Sequence, residues 1–181
     1  AGIPVGPLTV SDEIGLDTAY HASQQRKKDE GEAFRPTPTF RLIEKLVGEL
    51  GRHGRKNGKG FFEYAADGSK KLWSGLAELF PPLAEQPSVE EVKARMLYAQ
   101  LVDAAKAMAE GVVIDPADGD VGSILGVGFP AYLGGPFSMM DTIGLDKVVA
   151  ECDRLAARYG EQYAAPQLLR DMAARGQRFY G

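Results

Sequence analysis

The sequence predicts an all-α protein made of two tandem copies of one helical unit, and three observations carry that expectation. First, residues 6–17 (GPLTVSDEIGLD) return as residues 135–146 (GPFSMMDTIGLD). Gly6/Gly135, Pro7/Pro136, Asp12/Asp141, Ile14/Ile143, Gly15/Gly144, Leu16/Leu145 and Asp17/Asp146 are identical, and such self-similarity marks a repeated supersecondary unit. The echo extends on both sides: Gly2-Ile3-Pro4 matches Gly128-Phe129-Pro130, and Gly58-Lys59-Gly60-Phe61-Phe62 matches Gly176-Gln177-Arg178-Phe179-Tyr180. Second, apolar residues recur at helical spacing between clear start and stop signals. Third, no run of alternating β-branched residues argues for strands.

In the first copy (residues 1–64), residues 8–14 and 16–27 correspond to a short and a longer helix, and residues 40–50 add another. Residues 51–60 form a glycine-rich basic turn leading into Phe61-Phe62-Glu63-Tyr64. Residues 65–87 read as a linker, holding Trp73, a helix-like stretch over 72–80, and Pro81-Pro82. The second copy (residues 88–181) opens with Ser88-Val89-Glu90-Glu91, a capping box in which the Ser88 oxygen takes the amide of Glu91 and the Glu91 carboxylate reaches back. The helix that follows runs to Gly111, a natural stop. Asp115-Pro116 offers an N-cap with proline at the first helical position, opening a helix closed at Gly126. Leu145, Val148, Val149, Cys152, Leu155, Ala156 and Tyr159 then form the cleanest amphipathic stripe, ending at Gly160. Residues 166–175 make a last helix before Gly176. About forty residues of helical pattern precede the second repeat block and none precede the first, so the first unit is expected to lack its N-terminal helix and the sequence to be a piece of a longer protein.

The 181 residues, 44% hydrophobic, suffice for one compact domain or two small packed lobes. A net charge of −4 argues against a general nucleic-acid binder, whose surface must neutralise phosphates. No apolar run is long enough to span a bilayer. The single cysteine, Cys152, excludes an internal disulfide and fits a reducing compartment such as a cytoplasm. One cysteine and two histidines are too few for a zinc cage, so no metal site is expected.

Several motifs imitate chemistry. Gly126-Val127-Gly128-Phe129-Pro130-Ala131 matches a dinucleotide fingerprint in form, but it follows a helix rather than a strand and Pro130 falls inside the loop. The stretch 54–60 (GRKNGKG) resembles a phosphate-binding loop without the hydroxyl that would hold magnesium. Its neighbours Arg52, His53, Arg55, Lys56 and Lys59 are either a solvated basic face or a contact for an anionic ligand, and the solvated reading is favoured. His21 and His53 have no partner at catalytic spacing. Cys152 lies on the apolar stripe, where a buried inert thiol is expected. The matched pairs Asp12/Asp141 and Asp17/Asp146 are read as structural, most simply as caps of the helix after Gly-Leu, because both copies keep them.

The blocks GIPVGPLTVSDEIGLD and GFPAYLGGPFSMMDTIGLD, the turn GRKNGKGFFEY, the stretch DPADGDVGSILGVGFP and the phrase KLWSGLAELFP together resemble the C-terminal domain of 3-hydroxyacyl-CoA dehydrogenases, in the tandem form found in multifunctional fatty-acid β-oxidation enzymes. The likeness spans essentially the whole sequence. It implies a parent that oxidises 3-hydroxyacyl-CoA to 3-ketoacyl-CoA with NAD, and an enoyl-CoA hydratase on an earlier domain. The family's NAD site and its catalytic His–Glu pair lie on an N-terminal Rossmann domain that these residues do not contain, so no catalytic or cofactor-binding residue is assigned and no hydride transfer is expected from this chain alone. The family's substrate-contacting Asn stands on a helix ahead of the first unit. In the second copy the matching stretch is Ala94-Arg95-Met96-Leu97, with Ala94 in its place, which implies a packing partner rather than a second site.

The resemblance further implies that the helical domain closes the acyl-CoA cleft against the Rossmann domain of the same parent chain. It also implies homodimerisation, and it admits a thiolase subunit as a partner. By position, Ile3, Pro4, Val5, Gly6, Pro7 and Leu8 are the expected substrate-lining segment, with a plain helix start as the equal alternative for Gly6-Pro7. Two other readings stay open: a stand-alone helical dimerisation or docking module without catalysis, and a monofunctional short-chain dehydrogenase with a doubled C-terminal domain.

Overall fold

Proline at the first position of a helix forfeits no hydrogen bond, and both copies use this to start the same helix. In the computed structural model, which describes residues 2–181, α1 (Pro7–Ile14) and α7 (Pro136–Ile143) follow Gly6-Pro7 and Gly135-Pro136 and are eight residues each. Each ends on a glycine that also opens the next helix: Gly15 (φ +99°) before α2 (Leu16–Glu30) and Gly144 (φ +96°) before α8 (Leu145–Tyr159), both fifteen residues. A Cβ at Gly15 would lie 2.8 Å from Asp17 Oδ1, and one at Gly144 2.9 Å from Asp146 Oδ1. The sharp corner between the paired helices therefore needs glycine in both copies.

The chain divides into two units: Val5–Ala84, and Glu85–Gly181 with the segment before Val5. In the first, α3 (Pro38–Ile43) begins where the Thr37 hydroxyl accepts from Phe40 N at 3.1 Å, earlier than the sequence pattern suggests, and widens into a π-helix over Glu44–Glu49. Gly51 closes it in a left-handed conformation (φ +61°), with Arg52 N donating to Leu46 O. Of residues 65–87, which join the two copies, those as far as Ala84 pack with this unit. β1 (Phe62–Tyr64) pairs antiparallel with β2 (Lys70–Leu72), Phe62 opposite Leu72, and α4 (Gly75–Leu79) follows. Only residues 75–79 of the helix-like stretch are helical, because Lys70, Lys71 and Leu72 are taken up by pairing with β1. Asp67-Gly68 is the turn signal for the hairpin: Asp67 Oδ1 accepts from Ser69 N at 2.9 Å, and Gly68 has φ +84°. Leu16, Ile43, Leu46, Val47 and Phe61 form the core, flanked by Trp73, Leu76 and Leu79.

In the second unit, α5 (Val89–Ala109) and α6 (Pro116–Val127) precede α7 and α8, and α9 (Gln167–Ala174) closes the bundle. Ser88 Oγ accepts from Glu91 N at 3.1 Å as expected. The Glu91 carboxylate, however, is drawn to Arg154 and to the Tyr159 hydroxyl (2.7 Å) instead of folding back. α6 runs past Gly126 to Val127, and Gly128, left-handed at φ +72°, ends it. The amphipathic stripe of α8 delivers Leu145, Val148, Cys152 and Leu155 to the core, against Leu101, Val102 and Ala105 of α5 and Leu169 of α9. Apart from one hairpin, the architecture is all-α, as predicted.

Candidate functional site

The segment expected to line substrate is apolar and open. Gly6 is extended (φ −64°, ψ 144°) and offers no side-chain cap, so Pro7 and Leu8 begin α1 at the surface. Ile3 and Pro4 cluster with the second unit and Val5, Gly6, Pro7 and Leu8 with the first. Val5 is 45% exposed, and Leu8 and Val10 are each 39% exposed. The counterparts of Ile3, Pro7, Leu8 and Val10 in the second copy are core: Phe129, Pro136, Phe137 and Met139 are all buried.

The matched aspartates have a shared task, and it differs from the expected one. Asp12 is buried and its carboxylate accepts from Phe61 N (2.8 Å), Phe62 N (2.9 Å) and the Tyr64 hydroxyl (3.0 Å). Asp141 accepts from Phe179 N (3.0 Å) and Tyr180 N (2.9 Å). In each copy, then, the carboxylate ties the first helix to the aromatic segment echoed downstream, rather than capping the helix after Gly-Leu. Burial and the Asp12 bond raise the Tyr64 hydroxyl to about 12. A third carboxylate, Asp120 of α6, accepts from Phe137 N (2.7 Å), Ser138 N (3.0 Å) and the Tyr180 hydroxyl (2.8 Å). Sequence reading missed it. Its signal lay in the DPADGD stretch, where a buried helix carboxylate must find donors.

Arg52 of the basic turn is buried and used internally, whereas Arg55, Lys56 and Lys59 are exposed, the solvated face expected of them. Arg52 is only 5% exposed. Its Nε donates to Gly60 O (2.8 Å), its Nη1 to Glu63 (2.9 Å), and its guanidinium stacks 3.9 Å from the Trp73 ring centroid. Arg55 pairs with Glu13 at 2.6 Å and Lys56 with Asp17. The Lys56 bond holds the Asp17 carboxyl below its ordinary range. The glycines of this turn make room rather than cradle phosphate. A Cβ at Gly54 would stand 2.5 Å from the Asp12 carbonyl oxygen, and one at Gly60 would collide with the Asp12 carboxylate.

The remaining lookalikes resolve in the same way. Gly126-Val127-Gly128 is the carboxyl end of α6, where the helix dipole repels a pyrophosphate, so these residues do not fit NAD. His21 packs edge-on against Tyr20, and the His53 backbone bonds Leu16 N and Asn57 Oδ1. Burial pushes the Cys152 thiol up to about 11, which leaves it inert near neutrality. Among the described residues no cluster of three metal-ligating side chains occurs, and no helix is long and apolar enough to cross a membrane.

Two helical units, each built on a glycine-cornered helix pair pinned by a buried aspartate to its aromatic segment, place the chain in the 3-hydroxyacyl-CoA dehydrogenase C-terminal domain family, to which it belongs; the family model matches residues 1–64 and 92–179. Among its relatives is the fatty acid oxidation complex subunit alpha of Shewanella amazonensis, 39% identical over 184 residues, covering 99% of this chain and 25% of the relative. The same subunit of Idiomarina loihiensis is 38% identical over 184 residues, with the same coverage. The chain thus spans about a quarter of the length of the curated relatives it matches. The fold is shared with the crystal structure of 3-hydroxybutyryl-CoA dehydrogenase from Escherichia coli, with a TM-score of 0.63 at 20% identity over 97% of this chain and 52% of that one. It is shared also with the dehydrogenase part of a multifunctional enzyme from C. elegans, with a TM-score of 0.59 at 21% identity over 92% and 38%.

Proposed function

We propose that the chain is the paired helical domain that completes the acyl-CoA cleft of an NAD-dependent 3-hydroxyacyl-CoA dehydrogenase in bacterial fatty-acid β-oxidation. The parent oxidises 3-hydroxyacyl-CoA to 3-ketoacyl-CoA in the cytoplasm, beside an enoyl-CoA hydratase on an earlier domain, with a thiolase subunit as its partner. Family membership supports this reading, and the observation that carries it is the open apolar run Pro7, Leu8 and Val10, at positions whose counterparts in the second copy, Pro136, Phe137 and Met139, form core. Such a surface takes a partner, and the Rossmann domain of the parent chain with its acyl-CoA is that partner. NAD, when bound to the parent, accepts the hydride; the residues of this chain contribute apolar walls that exclude water from the acyl chain.

The chain by itself is therefore inactive. Incubated with NAD and 3-hydroxybutyryl-CoA it produces no NADH above blank, and clear turnover would overturn the assignment. In the parent enzyme, Leu8→Asp raises KM for acyl-CoA about tenfold, the loss of one apolar contact of roughly 1.4 kcal/mol. An unchanged KM would remove Leu8 from the cleft.

A docking role in the second unit has its own observation. Val112, Ile114 (90% exposed), Val121 and Leu125 (81% exposed) are large apolar residues exposed on the face of α6 and the loop before it. This face supports homodimerisation. Leu125→Asp lowers the mass seen by light scattering if two copies meet there, and leaves it unchanged if they do not.

A further inference from the structure

The two copies of the longer helix can be aligned residue for residue, since α2 and α8 are both fifteen residues from a Gly-Leu-Asp start. Val148, Cys152 and Leu155 of α8 are fully buried core residues. The same three positions of α2 hold Ala19, Ser23 and Arg26. A face that packs a core in one unit has thus lost its large apolar residues in the other, and a cavity of about 120 Å³ opens beside it, walled by α2, α3 and the turn between them. Its floor is apolar: Phe34 and Phe40 meet edge to face at 4.9 Å, next to Ile43.

The rim is cationic. Arg26 Nε holds Glu30 at 2.6 Å, which leaves its terminal nitrogens for other partners. Arg35 Nη1 donates to the carbonyl oxygens of Glu32 (2.8 Å) and Phe34 (3.0 Å), and among the described residues no carboxylate pairs with it. Lys27 Nζ, outside the lining, lies 5.7 Å from the Phe40 ring centroid. The Glu30 carboxylate answers only part of this charge. A planar guanidinium over an apolar floor matches a carboxylate on a short hydrocarbon tail. A nucleotide or CoA moiety is too large, since sites for ligands of that size run to roughly 300 Å³ and more.

We infer that the cavity between α2 and α3 binds a short-chain monocarboxylate, its carboxylate on Arg35 and Arg26 and its tail against Phe34 and Phe40. The site is separate from the proposed acyl-CoA segment and does not depend on it. Amide chemical shifts of the protein, followed while butyrate is added, test this, with inorganic phosphate and butylamine titrated alongside. Butyrate gives saturable shifts at Ser23, Phe34 and Phe40, and phosphate and butylamine do not. Arg35→Gln, at an exposed position, weakens butyrate about tenfold with the rest of the spectrum unchanged. Ser23→Leu fills the cavity and abolishes binding. Equal binding of phosphate or butylamine, no saturable shift with butyrate, or an unchanged affinity in Arg35→Gln would overturn the inference.

Discussion

Asp12 and Asp141 each replace a stretch of sheet or helix with one carboxylate, binding two successive backbone amides that would otherwise be left without partners. Asp12→Asn presents an amide group where acceptors are needed and strands at least one buried N–H. The first unit loses about 1–3 kcal/mol, read as a lower urea midpoint at unchanged slope. Glu91 is held at about 2, first by its bond to Arg154 and then by Tyr159. A carboxyl depressed in the folded state adds stability above its unfolded value, near 4.5, and that stability is lost as pH falls toward 2. Arg154→Gln, which releases Glu91, moves acid unfolding to higher pH, and an unshifted acid midpoint would show that the bond contributes nothing. Cys152, raised to about 11, reacts with thiol reagents at pH 8 only after unfolding.

Helix starts and stops were legible wherever a cap or glycine acts locally: Ser88 at α5, Asp115-Pro116 at α6, and Gly15 and Gly144 at the two corners behave as read. A corner of this kind tolerates no side chain, so Gly15→Ala costs the first unit about 1–3 kcal/mol in strain, measured as a drop in its unfolding midpoint. What escaped was less local. The hairpin of β1 and β2 has only three residues a strand, too short for a visible alternation, though Asp67-Gly68 marks its turn. The widening of α3 into a π-helix carries no single-residue signal. Glu91 could be placed at a capping box, yet its carboxylate goes to Arg154 and Tyr159, because those partners arrive from a helix some sixty residues away.

For the molecule as a whole, the repeat exposes what each copy lacks. In the first unit the exposed apolar residues sit on α1 as Leu8, Val10 and Ile14, whereas α2 carries Ser23 and Arg26 where α8 packs its core. An exposed apolar face of this kind predicts self-association of the chain at high concentration. Light scattering then reads more than one 19.5 kDa chain, and Val10→Asp brings the value down; a single-chain mass throughout would refute it. Ile3 to Leu8 are proposed by position in the family resemblance, whereas the buried pairing of Arg52 and the cavity at Arg35 could be read only from the three-dimensional structure.

The sequence by itself determined the duplication, the helical class, the corners and the family, since each is written in short-range spacing that glycine, proline and capping side chains enforce on their own backbone. Only the tertiary structure decided which charges are spent inside and which face outward. Arg52 stacks on Trp73 and Asp12 holds Phe61 because segments distant in the chain converge there, and Arg35 is left at a cavity where α3 folds back on α2; burial acts on whatever meets in space.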